Sequence, residues 1–548
     1  MIQASRSRTV CGALWGLSAC LALAPASAQD TRDGRATTLG AVDFGVPCDS
    51  VVWEDFNRGV ALLHHMTYPA ALASFEAVIQ QDPECALAYW GAGMTLFQPL
   101  WPNRPQPGDL QRGWELMQEA RGRVRDAGRQ SQFVATGEAF FDPEGNPDYW
   151  TRIERWAAAT EALYRTRPTD REAQALYALT LLATASRRSD PAAHHREAAE
   201  VLARILADEP THPGAVHYTI HANDFTGREH ESLDVVGRYA EIAPANAHAL
   251  HMPTHMYVRL GEWDEVITWN QRAAAAALTQ RVGPAGEYVW DEFPHAIEYL
   301  VYAHLQKGDD RAARELIGSL MQTPDIQPSF KAAFHFASSR SRYMLERHDW
   351  QGAIELQVRD PAALDWDSFP WPEAITWFAR GLAAVHSGNP SSVAESLDQL
   401  DGLARRAADT DEPLFEAQIE ILRLELSAWQ AFRAGGRDDA LRRLEEAVSL
   451  EESTAKHPVT PAPTIPALEL LADLYVAMGE YALAYDAYRA SNNRTPGRFN
   501  AVLGLARTSV ALGDEDAAGR HYRSLMDLAS PESSRAGLAE ARDFLRRD

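Results

Sequence analysis

The sequence predicts an all-α solenoid, a superhelix of antiparallel helix pairs, and three observations carry that prediction. Gly479, Ala484 and Tyr488 return as Gly513, Ala518 and Tyr522, each 34 residues on. Almost no stretch alternates apolar and polar residues, so strand content should be negligible. A chain of 548 residues would ordinarily split into several globular domains. A repeat array avoids that limit, because each unit buries its core against its neighbours alone.

The N-terminus is the first element. Arg6 and Arg8 form a short basic region, Cys11 to Ala24 an apolar core, and Pro25-Ala26-Ser27-Ala28 a small-residue cleavage site before Gln29. Residues 1–28 therefore read as an export signal, which places the mature chain in the periplasm or outside the cell. Leu17-Ser18-Ala19-Cys20 also fits a lipoprotein box that would leave a lipid on Cys20, a less favoured outcome because the apolar run continues past it. The run is too short for a permanent anchor, and no later stretch is long and apolar enough to cross a membrane. After cleavage Cys48 and Cys85 remain, an even pair expected to form a disulfide in an oxidising space. The formal charge is −24, and losing two signal arginines and no acids brings it near −26. That field argues against nucleic acid and anionic lipid as partners.

Residues 29–50 lead into the array. Ala71 and Phe75, four apart, share one helix face, with Pro83 at the unit boundary. A Pro-rich loop from Phe97 to Pro107 interrupts the early units. Gly227, Gly261, Gly308, His348 and Gly388 mark further turns, and the 47-residue step from Gly261 to Gly308 implies a 13-residue insertion around Arg281 to Phe293. Gly283, Pro284 and Gly286 suit a bent loop, and Tyr288, Trp290, Asp291 and Glu292 make it a candidate lid. Residues 51–456 form the main solenoid, 457–466 a Pro- and Thr-rich break, 467–530 a C-terminal pair of repeats, and 531–548 a terminal helix or tail.

A small residue and an aromatic four apart, Gly in the turn and Pro at the boundary resemble the tetratricopeptide repeat (TPR). The resemblance covers most of residues 50–530 and implies a TPR-like α-solenoid. His217-Tyr218-Thr219-Ile220-His221 and His248-Ala249-Leu250-His251-Met252-Pro253-Thr254-His255 are similar to a paired-histidine block of large exported bacterial TPR proteins. That similarity implies the fold and a shared site, and no reaction.

The histidines carry the chemistry. His217 and His221 lie ten and six residues before Gly227; His251 and His255 lie ten and six before Gly261. The first helix of each repeat lines the concave groove in this family, so both pairs should face one cavity. Imidazoles at i and i+4 share a helix face and can hold one ion. His217, His221, His251 and His255 are thus the candidate ligands, for zinc or copper. Ten and six residues before Gly308 stand Glu298 and Tyr302, the candidate catalytic groups; His248 and His295, thirteen before their turns, and Asp224, one turn beyond His221, are candidate orienting or substrate-binding residues. His335 lies thirteen before His348.

Three function classes follow: a metal-dependent enzyme acting on a small molecule, a non-catalytic scaffold holding a peptide or envelope protein in the groove, or a metal store with closed sites. Packing histidines are the bland alternative. Gly-x-Ser-x-Gly, a phosphate-binding Gly-Lys-Ser/Thr loop and His-Glu-x-x-His are absent, which removes the common nucleophile and nucleotide enzymes.

Overall fold

The structure, a computed structural model, describes residues 38–547 apart from single positions at 102, 126, 226, 284, 411 and 455. The export signal and the first residues of the 29–50 segment lie outside the described residues. Helices follow one another from Trp53–His64 to Ala536–Leu545, and each packs chiefly on the next, as an all-α TPR-like solenoid requires. Repeat packing rests on a large ring set into a small residue. Phe75 of Tyr68–Gln81 fills the space over Gly59 and Gly91, where an added Cβ would collide with its ring, at 2.9 Å over Gly59. Tyr488 does the same over Gly504, at 2.5 Å.

Both ends of the array return to its middle. At the front, Ala41 N donates to Thr211 O at 3.1 Å, and His64 meets Tyr218 at 3.0 Å. At the back, Thr254–Leu260 ends on Gly261 in the left-handed region (φ 71°), a turn that also needs glycine for contact: a Cβ there would collide with the Pro496 carbonyl. Trp263 Nε1 donates to Gly497 O at 2.7 Å, and buried Arg498 donates to Tyr302 Oη at 2.7 Å and pairs with Glu346 and Glu469. The concave face is thereby enclosed.

Two Pro-rich segments fill that face. Trp101, from the loop after Phe97, is 5% exposed. The 457–466 segment runs inside as a strap: the Arg342 guanidinium donates to the carbonyls of Ala462, Pro463 and Thr464 and to Thr460 Oγ1. Cys48 and Cys85 form a disulfide with Cα atoms 5.1 Å apart, tying the leading segment to the second repeat.

The insertion differs from its expected role. Arg281–Val282 and Tyr288–Val289 form a small antiparallel hairpin, pinned where Val289 N donates to Asp325 O at 2.7 Å and its carbonyl accepts from Gln327 N at 2.9 Å. It packs with Leu316, Ile317 and Ile326, because apolar Val282 and Val289 find their core there. Among the described residues neither strand makes a hydrogen bond, ion pair or ring contact with a triad histidine, so the hairpin is no lid; the residues after it, Trp290, Asp291 and Glu292, reach the enclosed face through Lys331.

Candidate metal centre

His212 caps the Pro213–Asn223 helix, its Nδ1 accepting from Ala215 N at 3.1 Å, and Pro213 opens the first turn. The whole helix is buried, so His217 and His221 face inward on one stripe. Asn246 caps Ala247–His251, which breaks at Met252-Pro253 and resumes as Thr254–Leu260. His248 and His251 thus sit on one segment and His255 on the next, while His295 lies on Glu292–Gln306.

The sequence-predicted ligands divide into two sets instead of one. His217, His221 and His248 bring their nitrogens together, and so do His251, His255 and His295, all within 4.8 Å inside each triad. Nε2 of His217 is 3.1 Å from Nε2 of both His221 and His248, and Nε2 of His251 is 3.1 Å from that of His255. The triads adjoin: the His221 and His255 rings are 5.8 Å apart, those of His248 and His251 6.4 Å. All six imidazoles are 0–6% exposed. His248 and His295, expected at the margin, complete the triads.

The outer partners fix where the ring protons of His217, His251, His255 and His295 sit. His217 Nδ1 faces the His64 carbonyl at 2.6 Å, which can only accept, so its N–H is at Nδ1. Asn270 Nδ2 donates to Val266 O, which turns Oδ1 toward His251 Nδ1 at 2.8 Å. Asp224 Oδ2 takes the N–H of His255 Nδ1 at 2.9 Å, and Glu292 Oε2 stands 3.3 Å from His248 Nδ1. Glu298 accepts from His335 Nδ1, His335 Nε2 accepts from His295 Nδ1 at 2.8 Å, and His295 Nε2 is left without a hydrogen-bond partner. The Nε2 lone pairs of His251 and His255 therefore point at one another, and the single lone pair of His217 Nε2 faces both His221 and His248. Burial, reinforced by the facing imidazoles, holds His217, His221, His251 and His295 well below the ordinary histidine range, so protonation does not relieve the clash. An ion at the usual metal–nitrogen distance spaces tetrahedral ligand nitrogens about 3.3 Å apart, close to the spacing here.

A nearby cluster supplies the contrast. His64, Glu172 and His212 also gather their donor atoms. His212 Nδ1 accepts at the helix cap, so its Nε2–H is free to donate to Glu172 at 3.3 Å. His64 Nε2 lies 2.8 Å from the same carboxylate. Every group there has a partner, and the cluster is a satisfied packing network.

The repeat register explains the triads. The residue ten before each turn meets the one thirteen before the next: His217 with His248, His251 with His295, and then Glu298 with His335. In that third unit Ser338 Oγ donates to Glu298 at 2.5 Å and Arg342 Nε at 3.1 Å, so a guanidinium stands where the first two units have converging imidazoles. Glu298 thus acts on His295 only through His335. Tyr302 packs edge-on against Trp263 and accepts from Arg498, and no contact among the described residues ties it to either triad. Tyr299 is the tyrosine at the histidines, edge-on to His251 at 4.5 Å. Asp224 orients His255 of the neighbouring pair rather than His221 of its own helix.

Sequence reasoning missed the surroundings. Trp101 covers both triads, 6.1 Å from the His248 and His295 rings, with Lys331 over its face at 4.8 Å. Lys331 also pairs with Asp291 and Glu292. Lys456 pairs with Asp224 at 2.9 Å. Burial would raise the Asp224 and Glu292 carboxyls, but Lys456 with Arg259, and Lys331 with His248, carry them well below the ordinary range. A cavity of about 520 Å³ lies beside the triads, lined by Asp224, Val258, Lys456, His457, Trp371 and His195 among others. The only sequence signal for these walls is the pair of Pro-rich interruptions.

No family model matches the chain, and no curated protein matches it. Among solved structures it is similar to the Cut9–Hcn1 hetero-tetramer of the APC/C, with 14% identity, 90% of this chain and 89% of that one covered, and a TM-score of 0.32. It is likewise similar to a monomeric mutant of IFIT1 with m7Gppp-AAAA, at 11% identity, 90% and 98% coverage and a TM-score of 0.38. Neither likeness bears on what this chain binds.

Proposed function

We propose that this chain is an exported solenoid that binds two metal ions side by side, one on His217, His221 and His248 and one on His251, His255 and His295, and that it works as a metal-dependent enzyme on a small molecule. The observations that carry this reading are the 3.1 Å approach of His251 Nε2 to His255 Nε2, with both ring protons held outward by Asn270 and Asp224, and the gathering of three imidazoles in each triad. Neutral imidazole suits zinc or copper, and the outward partners are the orienting shell that metal-bound histidines require. Three protein ligands leave a coordination position for another molecule, as catalytic sites do and closed storage sites do not. The adjoining 520 Å³ cavity has room for a small substrate. A peptide scaffold needs an open groove, and the histidines that would line it are buried beneath Trp101. Export to an oxidising space agrees with the Cys48–Cys85 disulfide.

Metal analysis tests the reading. Protein stripped with chelator and titrated with zinc or copper should take up two ions per chain. His217→Ala with His221→Ala should leave one, with helical content retained. Uptake that is absent, or unchanged in the variant, would refute it.

A further inference from the structure

We infer that the paired triads are built for two cuprous ions that bind one molecule of dioxygen between them; this rests on the two-ion reading above and deepens it. The first reason is charge. All six ligands are neutral imidazoles, with no carboxylate or thiolate among them. Four acids stand behind them, Asp224, Asp291, Glu292 and Glu298, and four cations, Arg259, Lys331, Arg342 and Lys456, form ion pairs with those acids. The surrounding shell therefore brings no net negative charge to offset the ions. The cost of burying an ion grows with the square of its charge, so two divalent ions here would cost roughly four times as much as two monovalent ones. Cuprous copper is the monovalent ion that imidazole binds well.

The second reason is geometry. Each triad offers three nitrogens, leaving a position open on each ion, and the triads adjoin across His221–His255 and His248–His251. The third is access. The imidazoles are 0–6% exposed, and none of them lines the 520 Å³ cavity, so a small apolar gas reaches them more readily than a large solute. The balance closes without another reactant: each cuprous ion gives up one electron, and dioxygen takes both. Its two negative charges then compensate the two added to the metals.

The test uses the mature full-length chain, stripped of metal and loaded anaerobically with Cu(I). Two coppers per chain are expected. On admitting air, one dioxygen per two coppers should be consumed on an oxygen electrode, with a new near-ultraviolet absorption band. His248→Ala and His295→Ala should each keep one copper and lose the oxygen uptake; a thermal melt identifies a variant that fails to fold, and for that case zinc blocking of one site in the unmodified chain supplies the same comparison. Two coppers without oxygen uptake, or two zinc ions taken up in preference to Cu(I), would overturn this inference and leave the two-ion reading standing. No binding of either metal would sink both.

Discussion

Asn270 decides which nitrogen of His251 is available. Its side-chain amide is turned by the bond to Val266 O, so Oδ1 holds the His251 ring proton at Nδ1 and leaves Nε2 for a ligand. Asn270→Leu keeps roughly the same volume but lets the ring take either tautomer. The ion on His251, His255 and His295 should then bind about 10–100-fold more weakly, with the first triad unaffected. Competition against a chelator of known affinity measures this, and equal weakening at both sites would refute it. At this scale the sequence is half legible. The i, i+4 pairs can be read because helical spacing alone puts them on one face. Asn270, Glu292 and Lys331 cannot, since each arrives from another helix and no spacing along the chain relates it to its partner.

Among the elements, the two Pro-rich interruptions matter more than the insertion. The insertion reads as a lid because its ends flank the histidine helices, but Val282 and Val289 carry the hairpin to a core beside Leu316 and Ile326. The loop after Phe97 covers the triads instead, through Trp101, and the 457–466 strap is fastened by Arg342. A Pro-rich composition announces an irregular segment and says nothing of where it goes. If Trp101 is the cover, Trp101→Ala should let a chelator strip bound metal at least about tenfold faster, at a stability cost of about 3–5 kcal/mol for a buried tryptophan. Stopped-flow metal release reads the first effect and a denaturant midpoint the second. Unchanged release in a folded variant would show that the cover lies elsewhere.

At the scale of the whole molecule, the solenoid is legible from its 34-residue period, whereas its closure is not. The contacts that close it, such as Arg498 with Glu346 and Gly261 with Pro496, join residues more than a hundred positions apart. The chain carries a net charge of −24, and among the described residues Glu425, on the Pro413–Arg433 helix, is an acid buried without a partner. Both carboxyl oxygens of Glu425 lack a hydrogen-bond partner, and burial, aided by the nearby Glu451, pushes its carboxyl well above the ordinary range. Glu451 is itself raised to about 7, chiefly by burial. The sign follows from linkage: an acid whose folded value is raised favours the fold while protonated. That stability is fully present below the unfolded value near 4.5 and is lost as pH rises through the folded one. Stability of the metal-free chain should therefore fall between about pH 5 and pH 8 on account of these two groups. Glu425→Gln removes the ionisation without changing the shape. It should raise the melting temperature at pH 8 by on the order of 1–3 °C, and the gain should vanish at about pH 4, where the native glutamate is already neutral. Calorimetry at the two pH values checks this, and a gain of equal size at both would mean that the carboxyl is not held protonated by its surroundings.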